Sequence, residues 1–117
     1  MIVDDHPDVR FLIRAIIDDA DEDVEVVGEA DGVQTALEVI DGVDPDVVVL
    51  DAVMPLVGGF EAAPMILARR PAQRILLCSA LVDDEIRAKA LAAGIAECVS
   101  KDEMAVIPGI AAALARG

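Results

Sequence analysis

The sequence predicts a single α/β domain of five βα units, with a parallel sheet covered by helices on both faces. Three observations predict it. Short apolar runs alternate with amphipathic stretches from one end of the chain to the other. Two of the runs, Val47-Val48-Val49-Leu50 and Ile75-Leu76-Leu77-Cys78, are apolar at every position, as strands buried on both faces of a parallel sheet are. The connections are short, and 117 residues suit one unit of roughly 100–200.

The elements follow in order. Met1-Ile2-Val3 forms the first strand, stopped by Asp4-Asp5. From Pro7 to Ala20, Val9, Leu12, Ile13, Ile16 and Ile17 recur at helical spacing, with Pro7 in a first turn that needs no N–H. Val24–Val27 predicts the second strand, interrupted at Gly28. Gly32–Ile40 places Val33, Ala36, Leu37 and Ile40 on one helical face, and Gly42 is expected to close that helix. Val47–Leu50 is the third strand, ended by Asp51. A loop from Met54 to Gly59 leads to a helix reaching Arg70, in which Pro64 predicts a late start or a kink. Ile75–Cys78 is the fourth strand and ends at Ser79. Asp83–Ala93 reads as a helix with Asp83 as its N-cap and Gly94 past its end. Ala96–Ser100 is the fifth strand, and Glu103–Arg116 the last helix, with Pro108 anomalous in its first turns. Right-handed crossovers put helices on both sides of such a sheet, and its ligands bind at the carboxyl ends of the strands.

Composition narrows the function. Nine Lys and Arg against 23 Asp and Glu leave a formal charge of −14, which offers no footprint for a phosphate backbone. The chain alone is therefore not expected to bind nucleic acid. No uninterrupted apolar run reaches the roughly 18 residues that suggest a bilayer span. Residues 1–17 carry Asp4, Asp5 and Asp8 and no basic stretch, so no secretory signal is visible and a cytoplasmic location is expected. Cys78 and Cys98 lack CxxC spacing and suit a reducing compartment. The acidic run Asp18-Asp19-Ala20-Asp21-Glu22-Asp23 lacks the glycine and terminal glutamate of a calcium loop and reads as solvated. Gly58-Gly59 serves a turn, since no P-loop lysine follows.

The strand ends carry the chemistry. Strand one supplies Asp4 and Asp5, strand three Asp51, strand four Ser79, and Lys101 follows strand five. Each alone is an ordinary turn former, loop hydroxyl or solvated lysine; the βα repeat brings all five to one edge. Crowded carboxylates repel, and without a cation one of them holds its proton. A few hard oxygen ligands with room for water and phosphate suit Mg²⁺. Lys101 offsets part of the negative charge, and Ser79 has a hydroxyl for a phosphoryl oxygen.

Val3-Asp4-Asp5-His6-Pro7 with Arg10, Gly28-Glu29-Ala30-Asp31-Gly32, Pro45-Asp46 through Asp51 into Met54-Pro55 and Gly58-Gly59, then Ser79-Ala80 and Lys101, form one pattern. Over residues 1–117 it resembles the receiver domain of bacterial two-component response regulators, nearest in wording to the NarL/LuxR-type subfamily. The resemblance implies the flavodoxin-like strand order 2-1-3-4-5. It implies that Asp51 accepts a phosphoryl group from a histidine kinase. Mg²⁺ is then held by Asp5, Asp51 and the main-chain carbonyl of Val53, with Asp4 acting through water. Ser79 becomes the switch hydroxyl, and Lys101 the partner of the phosphoryl group. The implied role is a signalling switch and not an enzyme, with homodimerisation on phosphorylation through the first and last helices or the face around strand five. A helix-turn-helix output that regulates transcription would lie outside this chain. Three residues before Asp4 are few for a central strand, which predicts either further apolar residues upstream of Met1 or a clipped first strand that starts there.

The chain departs from the family at Cys98, where Tyr or Phe usually turns inward as the switch hydroxyl moves. Transmission then falls to backbone and loop motion, or coupling is weakened. Cys98 reads as a buried apolar thiol. The adjacent predicted strands also bring a Cys78–Cys98 bridge under consideration in oxidising conditions. Ala52 and Val53 beside the acceptor offer no base, which argues against a hydrolase acting on external substrates. With Leu81, they predict slow loss of phosphate. The alternative is a degenerate receiver serving as a constitutive protein-binding module.

Overall fold

In a computed structural model describing residues 1–117, β3 (Val47–Asp51) and β4 (Arg74–Ser79) form the middle of the sheet. They pair in parallel from Val47 opposite Arg74 to Asp51 opposite Cys78. β1 (Ile2–Val3) flanks β3, β5 (Glu97–Ser100) flanks β4, and β2 (Glu29–Ala30) closes the edge beside β1. The order β2-β1-β3-β4-β5, all parallel, is the one expected. Reversal of the strand order between β1 and β3 opens the crevice where α/β sheets bind ligands.

Strand alternation divides the core in two. Ile2, Val49, Leu76 and Cys78 face α1 (Pro7–Asp18) and α5 (Ile107–Arg116), meeting Ile13, Ile17, Ile107 and Ala111. Val3, Val48, Leu50, Ile75 and Leu77 face the other way. They pack under α2 (Val33–Val43), α3 (Gly59–Arg69) and α4 (Asp84–Ala92), on Ala36, Ile40, Ala62, Ile66 and Ala90. Both faces of the strands are thus dry, which is why β3 and β4 show no polar alternation. No helix is long and apolar enough to cross a membrane.

Several expectations are corrected. Val24–Val27 is not a strand; β2 lies at Glu29–Ala30, fixed by Ile2 opposite Glu29. Val24, Val26 and Val27 instead line an open cleft of about 430 Å³. α2 runs through Gly42 and ends at Asp44, in the left-handed region at φ 48°, with its carboxylate held by Arg70. Aspartate tolerates that conformation, so no glycine is needed. α3 starts at Gly59 and continues through Pro64, whose exposure leaves the carbonyl one turn earlier open to water.

The last helix begins later than expected. A 3₁₀ segment, Lys101–Val106, precedes α5, and Pro108 falls in the first turn of α5, where its missing N–H costs nothing. Asp83 caps α4 through Ile86 N–H, and Gly94 takes φ 83° after it, both as expected. The cysteines cannot be bridged: Cys98 lies opposite Leu77, not Cys78, and the two thiols point into different halves of the core.

Candidate functional site

Asp51 is the last residue of β3 and lies 2% exposed at the centre of the carboxyl edge. Its Oδ1 accepts a bond from Lys101 Nζ at 2.9 Å and one from Val53 N–H at 3.3 Å. Its Oδ2 is buried with no partner. Asp4, also 2% exposed, follows β1 directly and accepts the N–H of His6 at 2.9 Å. Asp5 is only partly covered, yet its Oδ1 too is buried and unpartnered. One ligand atom each from Asp4, Asp5, His6 and Asp51 falls within 4.8 Å of the others.

Two carboxylate oxygens without hydrogen bonds are costly inside a protein unless something else answers them. Oxygen donors of this kind suit a hard divalent cation. Val53 adds to the fit, because its carbonyl accepts no hydrogen bond within the chain, while its side chain points outward at 76% exposed. Burial, reinforced by the charges of Asp51 and Asp5, raises the Asp4 carboxyl above the usual aspartate range, against the pull of the His6 N–H and Lys101. Burial works against the charge on Lys101, but the bond to Asp51 and the charges of Asp51 and Asp4 outweigh it and raise its pKa. The ammonium is therefore firmly held as a cation.

Local structure aims these groups. Ser100 Oγ accepts Asp102 N–H at 3.1 Å, which caps the 3₁₀ segment and turns Lys101 toward Asp51. Gly59 begins α3 against the acceptor's main chain. A Cβ there would lie 2.5 Å from the Asp51 carbonyl oxygen and 2.8 Å from Leu77 Cδ1. Ser79 ends β4 one residue beyond Cys78, which is opposite Asp51. Its hydroxyl accepts Leu81 N–H at 3.4 Å and is bonded to none of the carboxylates. Cys98 is 7% exposed among Ala90, Ile95 and Leu77, and burial raises its thiol pKa.

Two residues of the quoted pattern, His6 and Arg10, take part in ways the sequence reading did not assign. His6 brings its Nδ1 to 3.2 Å from Asp5 Oδ1 and 3.5 Å from Asp4 Oδ1. Arg10 donates from Nη1 to the Asp4 carbonyl at 2.7 Å and from Nε to Glu29 at 3.2 Å, while Arg14 holds the other Glu29 oxygen. The Arg-x-x-x-Arg spacing on α1 was the available signal, since residues four apart share a helix face.

Fold and site together define a doubly wound α/β domain with a carboxylate-and-lysine centre at the switch point of its sheet. Residues 1–107 match the response regulator receiver domain, and the chain belongs to that family. It is 34% identical over 112 residues to protein-glutamate methylesterase/protein-glutamine glutaminase 3 of Anaeromyxobacter dehalogenans, covering 95% of this chain and 32% of that protein. It is 35% identical over 101 residues to the response regulator UvrY of Escherichia coli, covering 86% of this chain and 46% of that one. The signal receiver domain of the putative response regulator NarL from Mycobacterium tuberculosis superposes with a TM-score of 0.87 at 34% identity, covering 99% and 94% of the two chains. The chain thus spans less than half the length of these two curated relatives. Its likenesses include NarL/LuxR-type regulators and chemotaxis-type proteins alike.

Proposed function

We propose that this domain is a phosphorylation-driven switch in which Asp51 takes a phosphoryl group from the phosphohistidine of a histidine kinase. The observation that carries this reading is the Asp51 carboxylate itself: buried, gripped at Oδ1 by Lys101, and unpartnered at Oδ2. A carboxylate oxygen of Asp51 attacks phosphorus in line. The phosphorus–nitrogen bond breaks, and the departing imidazole keeps the electron pair and is reprotonated. Such transfer depends on positioning and charge neutralisation more than on covalent help. Lys101 supplies a positive charge at the oxygen where negative charge gathers. Asp5, Asp51 and the Val53 carbonyl would hold Mg²⁺, with Asp4 behind them through water, and the ion would offset the charge of the phosphoryl oxygens.

The acyl phosphate adds roughly 1.5 to 2 negative charges and three acceptors. Ser79 then gives up its bond from Leu81 N–H, turns its hydroxyl to a phosphoryl oxygen, and draws the β4–α4 loop with it. Cys98 is too small to act as a lever, so the change passes through the backbone to α4, β5 and α5. A homodimer through α1 and α5, or through the face around β5, would follow. The domain would work in the cytoplasm as part of a longer regulator whose helix-turn-helix output controls transcription.

Acetyl phosphate with Mg²⁺ tests this by intact mass. One phosphoryl adduct is expected on the native chain and none on Asp51→Asn. No adduct on the native chain would leave the constitutive binding module, for which Cys98 speaks. Val53 and Leu81, at 76% and 62% exposed, present apolar side chains where a hydrolytic water would be positioned. Phosphate loss from the purified domain is therefore expected over minutes, and a lifetime of seconds would overturn that expectation.

A further inference from the structure

We propose that His6 is an imidazole ligand of the same centre, so that the site takes a borderline divalent cation such as Co²⁺ or Zn²⁺ through nitrogen, beyond holding Mg²⁺ through oxygen. This rests on the reading of the carboxylate cluster as a cation site. Three observations carry it. His6 Nδ1 lies 3.2 Å from Asp5 Oδ1 and 3.5 Å from Asp4 Oδ1. Asp5 Oδ1 nevertheless has no hydrogen-bond partner, so nitrogen and oxygen stand close without pointing at each other. Asp51, 2% exposed and a member of the same cluster, likewise carries a buried unpartnered oxygen, Oδ2.

Atoms that share a metal ion have this relation. For bonds of roughly 2.0–2.1 Å, neighbouring ligands in tetrahedral or octahedral shells sit roughly 3.0–3.4 Å apart. The two nitrogen–oxygen separations bracket the upper end of that range. The backbone explains why the ring is available. His6 is the residue before α1 and makes no side-chain cap bond, while its own N–H is committed to Asp4. The imidazole is therefore tied to the acidic turn at its root and free at its ring. Imidazole favours Zn²⁺, Co²⁺ and Ni²⁺, whereas carboxylate, carbonyl and water suit Mg²⁺. Neither thiol competes: Cys78 and Cys98 are buried in the two halves of the core.

Titrations of the native chain, His6→Gln and Asp51→Asn with Co²⁺ alone and Mg²⁺ alone, in mildly alkaline buffer, test the proposal. His6→Gln is expected to weaken Co²⁺ by about tenfold or more while leaving Mg²⁺ within about twofold. Asp51→Asn is expected to weaken both ions. His6 is the only histidine, so its ring protons are unambiguous by NMR: one equivalent of Zn²⁺ should shift them and Mg²⁺ should not. Mg²⁺ binding with unchanged Co²⁺ affinity in His6→Gln overturns the His6 assignment alone. Tight Co²⁺ binding that survives Asp51→Asn places the ion elsewhere and also overturns it. Failure of Co²⁺ alone to bind the native chain overturns the His6 assignment, and failure of both ions overturns the cation site as well.

Discussion

The two ends of the sheet solve the same problem differently. Where the strands begin, Gln73 is 7% exposed, and its amide donates to the carbonyls of Pro45 at 3.1 Å and Arg74 at 3.2 Å. Its oxygen accepts from Arg70 Nε at 2.9 Å, and Arg70 also reaches Asp44. Every polar atom of that buried side chain is answered. Where the strands end, two buried side-chain oxygens lack partners, Asp5 Oδ1 and Asp51 Oδ2, on residues of one acidic cluster. Unanswered polar atoms are concentrated at the carboxyl edge, and Gln73 at the opposite edge has none. The difference marks a site more sharply than charge does, since carboxylates are spread over the whole chain.

Three perturbations sharpen or break that contrast. Lys101→Met removes the only cation in contact with the acceptor, and the rate of phosphorylation by acetyl phosphate should fall about 100-fold or more. A fall of less than tenfold would mean that Lys101 holds the resting structure and not the transferring group. Gln73→Leu removes the donor to the buried Pro45 carbonyl and a second bond to the Arg74 carbonyl at the other end, and should cost about 2 kcal/mol in urea unfolding. Its phosphorylation rate should stay at the native value; a coupled loss would erase the distinction between the ends.

The smallest effect concerns pH. Burial, with the Asp51 and Asp4 charges adding to it and Lys101 opposing, pushes the Cys78 thiol from 9.0 to about 11. The folded state therefore favours the protonated thiol, and that contribution is intact below 9.0 and lost as pH climbs toward about 11. Stability should drop by about 1 kcal/mol over the first pH unit above 9.0, and Cys78→Ala should remove that share of the slope.

The parts legible in the sequence are those fixed by topology. Once β3 and β4 are read from runs of buried residues, the βα period must bring Asp4, Asp5, Asp51, Ser79 and Lys101 to one edge, and it does. What failed depends on partners. Val24–Val27 has the composition of a strand, but pairing is decided by the neighbour, and β1 meets Glu29–Ala30 instead. The end of α2 was assigned to glycine, although Asp44 with Arg70 does the same work. The start of α5 was blurred because Ser100 caps a 3₁₀ segment that periodicity does not separate from the helix. The His6 ring and the Arg10–Glu29–Arg14 bonds needed side-chain positions. Cys98 is the buried thiol its sequence reading gives, and the alternation of facing directions along paired strands rules out the bridge to Cys78.

Gly59 is a residue whose importance no inspection of charges would reveal. With the Asp51 carbonyl 2.5 Å from where a methyl would stand, even alanine would wedge α3 away from β3 and tip the acceptor before any chemistry began. The bare backbone at 59 is therefore what lets α3 start flush against the acceptor's main chain.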